Sequence, residues 1–467
     1  VHARASEIAA AVGGRVMGPD ATTRRIAIDA REAGPGIAFV ALPGTRTDGH
    51  RFVADAFARG APAAIVDRVD VAASMRGTSI LVRDPARALL ELGRWWRSRL
   101  GATVVGVTGS VGKTTTKDLV ASVAARRGST VASPRSFNTE LGVPVTICAA
   151  DRETRTVVCE IGAGAPGEIA ALCEVARPSI GIVTKVAPAH LETFGSMRAI
   201  ALAKRELVEA LPPEGCAIVN DDDAVVRRFA GARRPRVLRF GHGPGCDVRA
   251  EDERLDAAGR LAFTAVTGDA RAPVRLRLLG RHQVTPALAA LAGGLALAIP
   301  LEASADALAS VRPPSRRLEE RFTADGVRVL DDSYNANPVS MLAALETLAA
   351  AAEPARAVAV LGGMEQLGGR SPREHRAVGR AVAGLGIGRL VAVGGSARPI
   401  ADAARAAGTP DVVWTPSVEA ATDVVACLRG VDVVLVKASR AQGLDRLVEA
   451  LCPPAMEPIP STAGPYG

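Results

Sequence analysis

Aromatic residues are scarce in this chain: Phe, Trp and Tyr together make up 3% of its 467 residues. The formal net charge is +8, but the arginines are dispersed and no basic cluster alternates with rings on which bases would stack. Nucleic acid is therefore not an expected partner, and a diffuse positive field suits small polyanions such as nucleotides. Lysine and asparagine are rarer still. The lysines are Lys113, Lys117, Lys185, Lys204 and Lys437, and the asparagines are Asn138, Asn220, Asn335 and Asn337. In a chain that prefers arginine, these survivors mark positions to inspect for chemistry that a guanidinium cannot do. No cysteine pair has CxxC spacing. The seven cysteines, scattered from Cys148 to Cys452, read as free thiols of a reducing cytoplasm, not as zinc ligands or disulfides. Long polar tracts are missing too, and 48% hydrophobic with 23% charged residues describes a globular chain. No secretory pattern opens the sequence. One run, Val284 to Leu301, is apolar enough to suggest a membrane span. It is rich in Ala and Gly, interrupted by Pro286 and bounded by Pro300, which predicts a buried helix and no membrane insertion.

The length predicts two or three domains. Residues 1–98 read as a small α/β unit, with strands at Ile37–Leu42 and Ala63–Val66 and helices at Val53–Arg59 and Pro85–Leu100. From residue 99 to 313, strands at Thr103–Thr108, Thr156–Glu160, Ile180–Thr184 and Cys216–Asn220 alternate with helices at Gly167–Val175 and Met197–Leu211. That alternation predicts a parallel sheet covered by helices. After the joint Arg312-Pro313-Pro314-Ser315, residues 314–452 repeat the alternation, with strands near Val327–Asp331, Ala357–Leu361, Leu390–Val393 and Val433–Lys437. This predicts a Rossmann-like sheet, and residues 453–467, rich in Pro, Gly and Ser, read as a flexible tail. The expected fold is thus α/β in three domains.

The strongest motif is Thr108-Gly109-Ser110-Val111-Gly112-Lys113-Thr114-Thr115-Thr116, between a strand and a helix. Glycines at Gly109 and Gly112 let backbone N–H groups curl around phosphate oxygens at a helix N-terminus. Ser110 and Thr115 belong to the same cradle. Lys113 is placed to reach the β- and γ-phosphates, and the Thr114 hydroxyl to face Mg²⁺. The general pattern asks for glycine five residues before Gly112, where this chain has Val107. The loop by itself predicts only ATP or a similar nucleotide.

The match continues in order along the chain. Ser136–Pro144 contains Asn138 and Glu140; Glu160-Ile161-Gly162-Ala163 ends a strand; His190–Ser196, Ala203-Lys204-Arg205-Glu206, Asn220–Asp223 and Asp331–Pro338 follow. Upstream lie Asp29-Ala30-Arg31 and Leu42–His50. Together these resemble the Mur ligase family over roughly Ile26 to Arg440, and Asp332-Ser333-Tyr334-Asn335-Ala336-Asn337-Pro338 resembles its D-alanyl-D-alanine-adding branch. Three departures stand out. Ala30 replaces a usual serine, Gln283 and Pro286 replace asparagines after His282, and Arg316 replaces a glycine before Arg317-Leu318-Glu319.

The resemblance implies ligation of D-Ala-D-Ala to a UDP-muramoyl-tripeptide through an acyl phosphate, in a cytoplasmic monomer using ATP and Mg²⁺. It implies that the first domain binds the UDP substrate, with Asp29, Arg31 and Asp48 as contacts, and that Asn138 is a further substrate-binding residue. Lys113, Glu160, His190 and Lys204 become the catalytic set, and Thr114, Glu160, His190 and Lys204 the metal-binding set. Lys204 is the position that the family carbamylates, converting a cation to a carboxylate as arginine cannot. His282, Arg317 and Asn335 are implied to hold the nucleotide, and Asn337 and Lys437 the incoming dipeptide. Three other readings stay open at this point: a related ligase that adds a single amino acid, a motor-like or regulatory ATPase, and a silent binding protein.

Overall fold

A computed structural model describes residues 1–44, 47–74, 77–231, 235–429 and 432–453. The expected tail, from residue 454 onward, and Thr45 and Arg46 of the N-terminal motif lie outside the described residues. The chain divides into two compact units. One comprises Val1–Arg254, Leu261–Arg277 and His282–Arg312; the other comprises Leu255–Arg260, Leu278–Arg281 and Pro313 onward.

In the first unit a sheet ordered Arg15–Met17, Thr78–Leu81, Ala63–Val66, Ile37–Val40, Arg25–Ala27 carries the N-terminal segment. Helix Pro85–Arg97 follows, capped by the Asp84 carboxylate on the backbone N–H groups of Ala86 and Arg87. Its buried face, with Leu89, Leu92 and Trp96, shares one apolar core with the next segment. The Trp96 indole N–H donates to the Ala150 carbonyl at 2.8 Å, so even the ring's polar edge is satisfied inside.

The second sheet of this unit runs Arg236–Gly241, Cys216–Asn220, Ile180–Val183, Thr103–Thr108, Thr156–Glu160, Thr130–Ala132, with parallel neighbours throughout. The four inner strands, from Cys216–Asn220 to Thr156–Glu160, are buried on both faces, which is why they read as strands without alternation. The chain builds outward from Thr103–Thr108 to one edge and then crosses to Ile180–Val183 on the other side. The order therefore reverses at Thr103–Thr108, and such a switch point opens a crevice at the strands' carboxyl ends. Sequence reading missed an extension of this sheet, Val248–Leu255, Arg260–Thr267 and Ala270–Leu279. The connections between these three are too short for parallel crossovers. Val274, Leu276 and Leu278 are buried and Arg275 and Arg277 exposed, an alternation of period two that was available in the sequence.

The apolar run becomes helix Val284–Ala296, buried along most of its length against helix Lys113–Ala124. Pro286 falls in its first turn, where a missing N–H costs no intrahelical bond. Among the described residues no helix is long and apolar enough to cross a membrane, and all seven cysteines are unpaired.

The other unit has a sheet ordered Glu319–Phe322, Arg328–Asp332, Val433–Lys437, Ala357–Leu361, Arg389–Val393, Asp411–Thr415, antiparallel only at its first pair. The two edge strands, Glu319–Phe322 and Asp411–Thr415, are partly exposed; the first is mostly charged and the second carries only a three-residue apolar run, Val412–Trp414, too short to stand out.

Helix Met197–Glu209, which carries Lys204, lies on the switch-point strand. Its Leu207 is completely buried and covers Gly106 and Gly181, where a side chain would collide with it. Leu207→Ala should therefore lower unfolding free energy by about 2–5 kcal/mol in a denaturant titration.

Candidate active site

The crevice at the switch point collects the predicted phosphate loop. Gly109 has φ 148 and Gly112 φ 83, and a Cβ on Gly109 would fall 2.0 Å from the Thr184 hydroxyl oxygen. Only glycine fits there. The Ser110 backbone N–H donates to the Lys185 carbonyl at 2.7 Å, and the Thr184 hydroxyl donates to the Val111 carbonyl at 2.6 Å. The Lys113 ammonium arches over the loop to the Gly109 carbonyl at 2.8 Å. The Ser110 hydroxyl is buried with no protein partner, an orphaned polar atom in a loop shaped for an anion.

Thr114 sits in the first turn of helix Lys113–Ala124, and its hydroxyl donates to a Glu160 carboxylate oxygen at 2.8 Å. The other Glu160 oxygen accepts the Asn138 side-chain amide, also at 2.8 Å. Glu160 ends strand Thr156–Glu160 and is 1% exposed. Its backbone N–H donates to the Ser133 hydroxyl at 3.0 Å, and the Asn138 carbonyl accepts the Gly162 N–H at 2.8 Å. Asn138 is thereby locked between the carboxylate and the chain that follows it. A buried carboxylate beside a hydroxyl is a hard-oxygen donor set, the kind Mg²⁺ selects. Among the described residues no three His, Cys, Asp or Glu side chains converge to hold a metal by themselves. A cation at Glu160 therefore fits only as one completed by nucleotide phosphates and water, which is how Mg²⁺ is usually bound beside nucleotides.

His190 has φ 54 and opens the short helix Leu191–Phe194. Lys204, 3% exposed, lies 5.7 Å above the Phe194 ring. Burial, then the like charge of Lys113, pulls the Lys204 amine down from 10.5 to about 7, against the weaker pull of Glu206 and Glu168. Two of the predicted metal-site residues, Thr114 and Glu160, are in direct contact; His190 opens helix Leu191–Phe194 and Lys204 stands on helix Met197–Glu209. Three framing residues had no role assigned from the sequence: Asn220 and Asp223, which lie in a matched motif, and Thr184, which was passed over. The Asn220 amide donates to the Thr184 carbonyl at 2.7 Å, and the Asp223 carboxylate accepts the Val186 N–H at 3.0 Å. Their signal was position, since polar side chains lie at or just beyond strand ends.

In the N-terminal segment Asp29 caps the turn Ala30–Glu32 and holds the Arg31 guanidinium at 2.6 Å. That hydrogen bond keeps the Asp29 carboxyl below its ordinary range. Asp48 accepts both the backbone N–H and the ring Nδ1 of His50, at 3.0 and 2.7 Å, which likewise lowers it. His50 is buried, with Asp67 2.9 Å from its other nitrogen. His282 lies beside Gln283, whose side-chain nitrogen is 2.9 Å from the histidine's Nε2.

In the other unit Arg317 stacks 4.4 Å over the Tyr334 ring, and Arg440 lies 5.9 Å from it. Tyr334, which sequence reading did not select, is thus a planar platform under two guanidinium groups. The Lys437 ammonium is 2.6 Å from Asp332 and donates to the Asn335 carbonyl at 2.9 Å. At 2% exposure it holds the Asp332–Asn335 turn from beneath. The Asn335 side-chain oxygen accepts the Ala336 N–H at 2.9 Å. Asn337 caps helix Pro338–Ala351 in a reciprocal box with Ser340, with Pro338 in the first turn. Arg316 adopts φ 59, a left-handed conformation that favours glycine, and its guanidinium meets Asp445 at 2.7 Å and Glu449 at 2.8 Å.

With this geometry in hand, comparison with known proteins is direct. The Mur ligase family catalytic domain matches residues 22–93, the Mur ligase middle domain 107–294 and the Mur ligase glutamate ligase domain 316–440. UDP-N-acetylmuramoyl-tripeptide–D-alanyl-D-alanine ligase of Mycobacterium bovis is 40% identical over 495 residues, covering 96% of this chain and 97% of its own. A crystal structure of MurF from Acinetobacter baumannii superposes with a TM-score of 0.83 at 31% identity, covering 97% of this chain and 99% of its own. MurF of Thermotoga maritima in complex with ADP gives 0.76 at 29% identity, covering 92% and 97%. From the phosphate loop to the turn at Asn335, this chain belongs to the Mur ligase family.

Proposed function

We propose that this ATP-dependent ligase joins D-alanyl-D-alanine to UDP-muramoyl-tripeptide, giving the UDP-muramoyl-pentapeptide of peptidoglycan synthesis. The acceptor and the amine follow from end-to-end likeness to ligases of that name. The observation that carries the chemistry is the buried Glu160 carboxylate in contact with Thr114, at the foot of a phosphate loop. In this reading residues 1–98 hold the UDP substrate, 99–313 the ATP, and 314–452 the amine, in a cytoplasmic monomer.

The tripeptide's terminal carboxylate attacks the γ-phosphorus of ATP, and the bond to the ADP oxygen breaks. The dipeptide amine then attacks the acyl carbon; the carbon–oxygen bond to phosphate breaks and the amine loses a proton. Lys113, with the N–H groups of Val111 to Thr115, stabilises the γ-phosphoryl charge as it spreads. Glu160 and Thr114 are the residues that would hold Mg²⁺, which neutralises phosphate charge when bound. Asn138 keeps the Glu160 carboxylate in one rotamer. Asp29, Arg31 and Asp48 orient the UDP substrate, and His282, Arg317 and Asn335 the adenine nucleotide. Asn337 and Lys437 serve the dipeptide through the turn that they hold.

Lys204 takes a further step. Its neutral amine attacks CO₂, forms the carbamate N–C bond and releases a proton, which turns a buried cation into a carboxylate. An amine near 7 is substantially neutral at physiological pH, whereas an ordinary lysine is not.

Phosphate release from ATP should require both UDP-muramoyl-tripeptide and D-Ala-D-Ala, with the joined product detected by mass. Release indifferent to the dipeptide would assign a different amine, and no release would favour a binding protein.

Lys204→Met should lower kcat by about 10²–10³, and depletion of CO₂ should slow the parent enzyme most below pH 7, where the amine is protonated. The stability sign is also fixed. Between about 7 and 10.5 the unfolded chain holds a proton that the folded chain does not, so this group makes stability rise with pH across that window. Denaturant titrations at pH 7 and pH 10 should show Lys204→Met losing that part of the rise.

A further inference from the structure

The segment between Glu160 and helix Glu168–Ala176 reads Ile161-Gly162-Ala163-Gly164-Ala165-Pro166-Gly167. Three glycines would leave it conformationally loose. The helix it enters begins at Gly167, with φ 87 and no side chain to cap the free N–H groups of the first turn.

The missing cap is supplied from a distant part of the chain. The Gly167 and Ala170 N–H groups donate to the two Glu206 carboxylate oxygens at 2.7 and 3.0 Å. An N-cap is normally the residue at the helix start itself; here it comes from residue 206, on the helix that carries Lys204. A carboxylate at a helix N-terminus also meets the favourable end of its dipole. A second tie holds the same segment. The Thr193 hydroxyl, from the helix that His190 opens, donates to the Gly164 carbonyl at 2.6 Å. The Glu168 carboxylate accepts the Gly164 N–H at 2.7 Å. The glycine-rich segment is thus pinned by side chains flanking the two groups that it must be held against.

Residues two apart on a helix point in different directions, so Glu206 reaches the segment while Lys204 faces Phe194. We propose that Glu206 is a positioning residue of the ligase: it fixes the segment behind Glu160 to the helix of Lys204. The spacing of these groups then survives substrate binding. This rests on the reading of Glu160 and Lys204 as site groups. Glu206 acts through them and touches no reacting atom.

The experiment compares the full chain with Glu206→Ala and Glu206→Gln, at saturating ATP, UDP-muramoyl-tripeptide and D-Ala-D-Ala. Circular dichroism melting sets the assay temperature well below each midpoint. Glu206→Ala should lower kcat by about ten- to a hundredfold, as a displaced catalytic group does, with KM for ATP changed less than about threefold because the phosphate loop is untouched. Glu206→Gln, which keeps one acceptor oxygen, should recover part of the rate. A kcat for Glu206→Ala within twofold of the parent overturns the proposal. So does a loss that disappears on cooling, which would make Glu206 a stability cap only. Parent turnover in the same assay separates the two readings: its absence strikes at the ligase assignment, whereas parent turnover with an unaffected Glu206→Ala strikes at this inference alone.

Discussion

A carboxylate buried at the end of a central strand is the constraint on which the rest of the site depends. Taking an ionised Glu160 out of water costs several kcal/mol unless it is hydrogen-bonded and its charge is matched. The fold meets the first condition with Thr114 and Asn138, one donor to each oxygen. In the proposed site the second would be met by a bound cation and its nucleotide. The switch point makes this possible, because strands Thr103–Thr108 and Thr156–Glu160 are parallel neighbours with Val107 opposite Glu160. The loop that cradles phosphate and the carboxylate that would hold the metal therefore leave the sheet side by side.

The rarity of lysine turned out to be informative for a physical reason. Lys117, Lys204 and Lys437 are each 2–3% exposed, and Lys113 is half-buried over the loop. Lys117 donates to the Ser133 carbonyl at 2.8 Å and stands at the segment that leads to Asn138. Lys437 holds Asp332, and Lys204 is kept near neutrality. A compact ammonium fits such places and a planar guanidinium does not. Lys185 alone among the five is an exposed side chain, and there it is the backbone carbonyl that serves the loop.

What was legible in the sequence was what is local. Fully buried strands such as Thr103–Thr108, Thr156–Glu160 and Val433–Lys437 stand where their apolar runs placed them, because burial on both faces leaves nothing else for such a run to be. The phosphate loop was legible for the same reason, since its glycines, lysine and threonines are consecutive. Strand Ala270–Leu279 was missed because its apolar face alternates with arginines, and Asp411–Thr415 because its apolar run is only three residues long. Among site residues, Asn337 shows how far a motif can be read: its place in the family pattern was recognised, yet its observed bonds are those of a helix cap. The partners of Thr184, Asn220 and Glu206 were out of reach because each acts on a backbone group more than thirty residues away, a pairing that only the folded chain creates.

In the proposed site Glu160 matches the charge of a metal–nucleotide complex at the foot of the phosphate loop. Titration calorimetry of ATP into the parent chain and into Glu160→Gln, each with and without Mg²⁺, tests it most directly. The substitution keeps the side chain's shape and removes only its charge. The account predicts that Mg²⁺ tightens ATP binding to the parent by at least about tenfold and to Glu160→Gln by less than about twofold. Equal tightening in both would contradict it, and would move the metal away from Glu160.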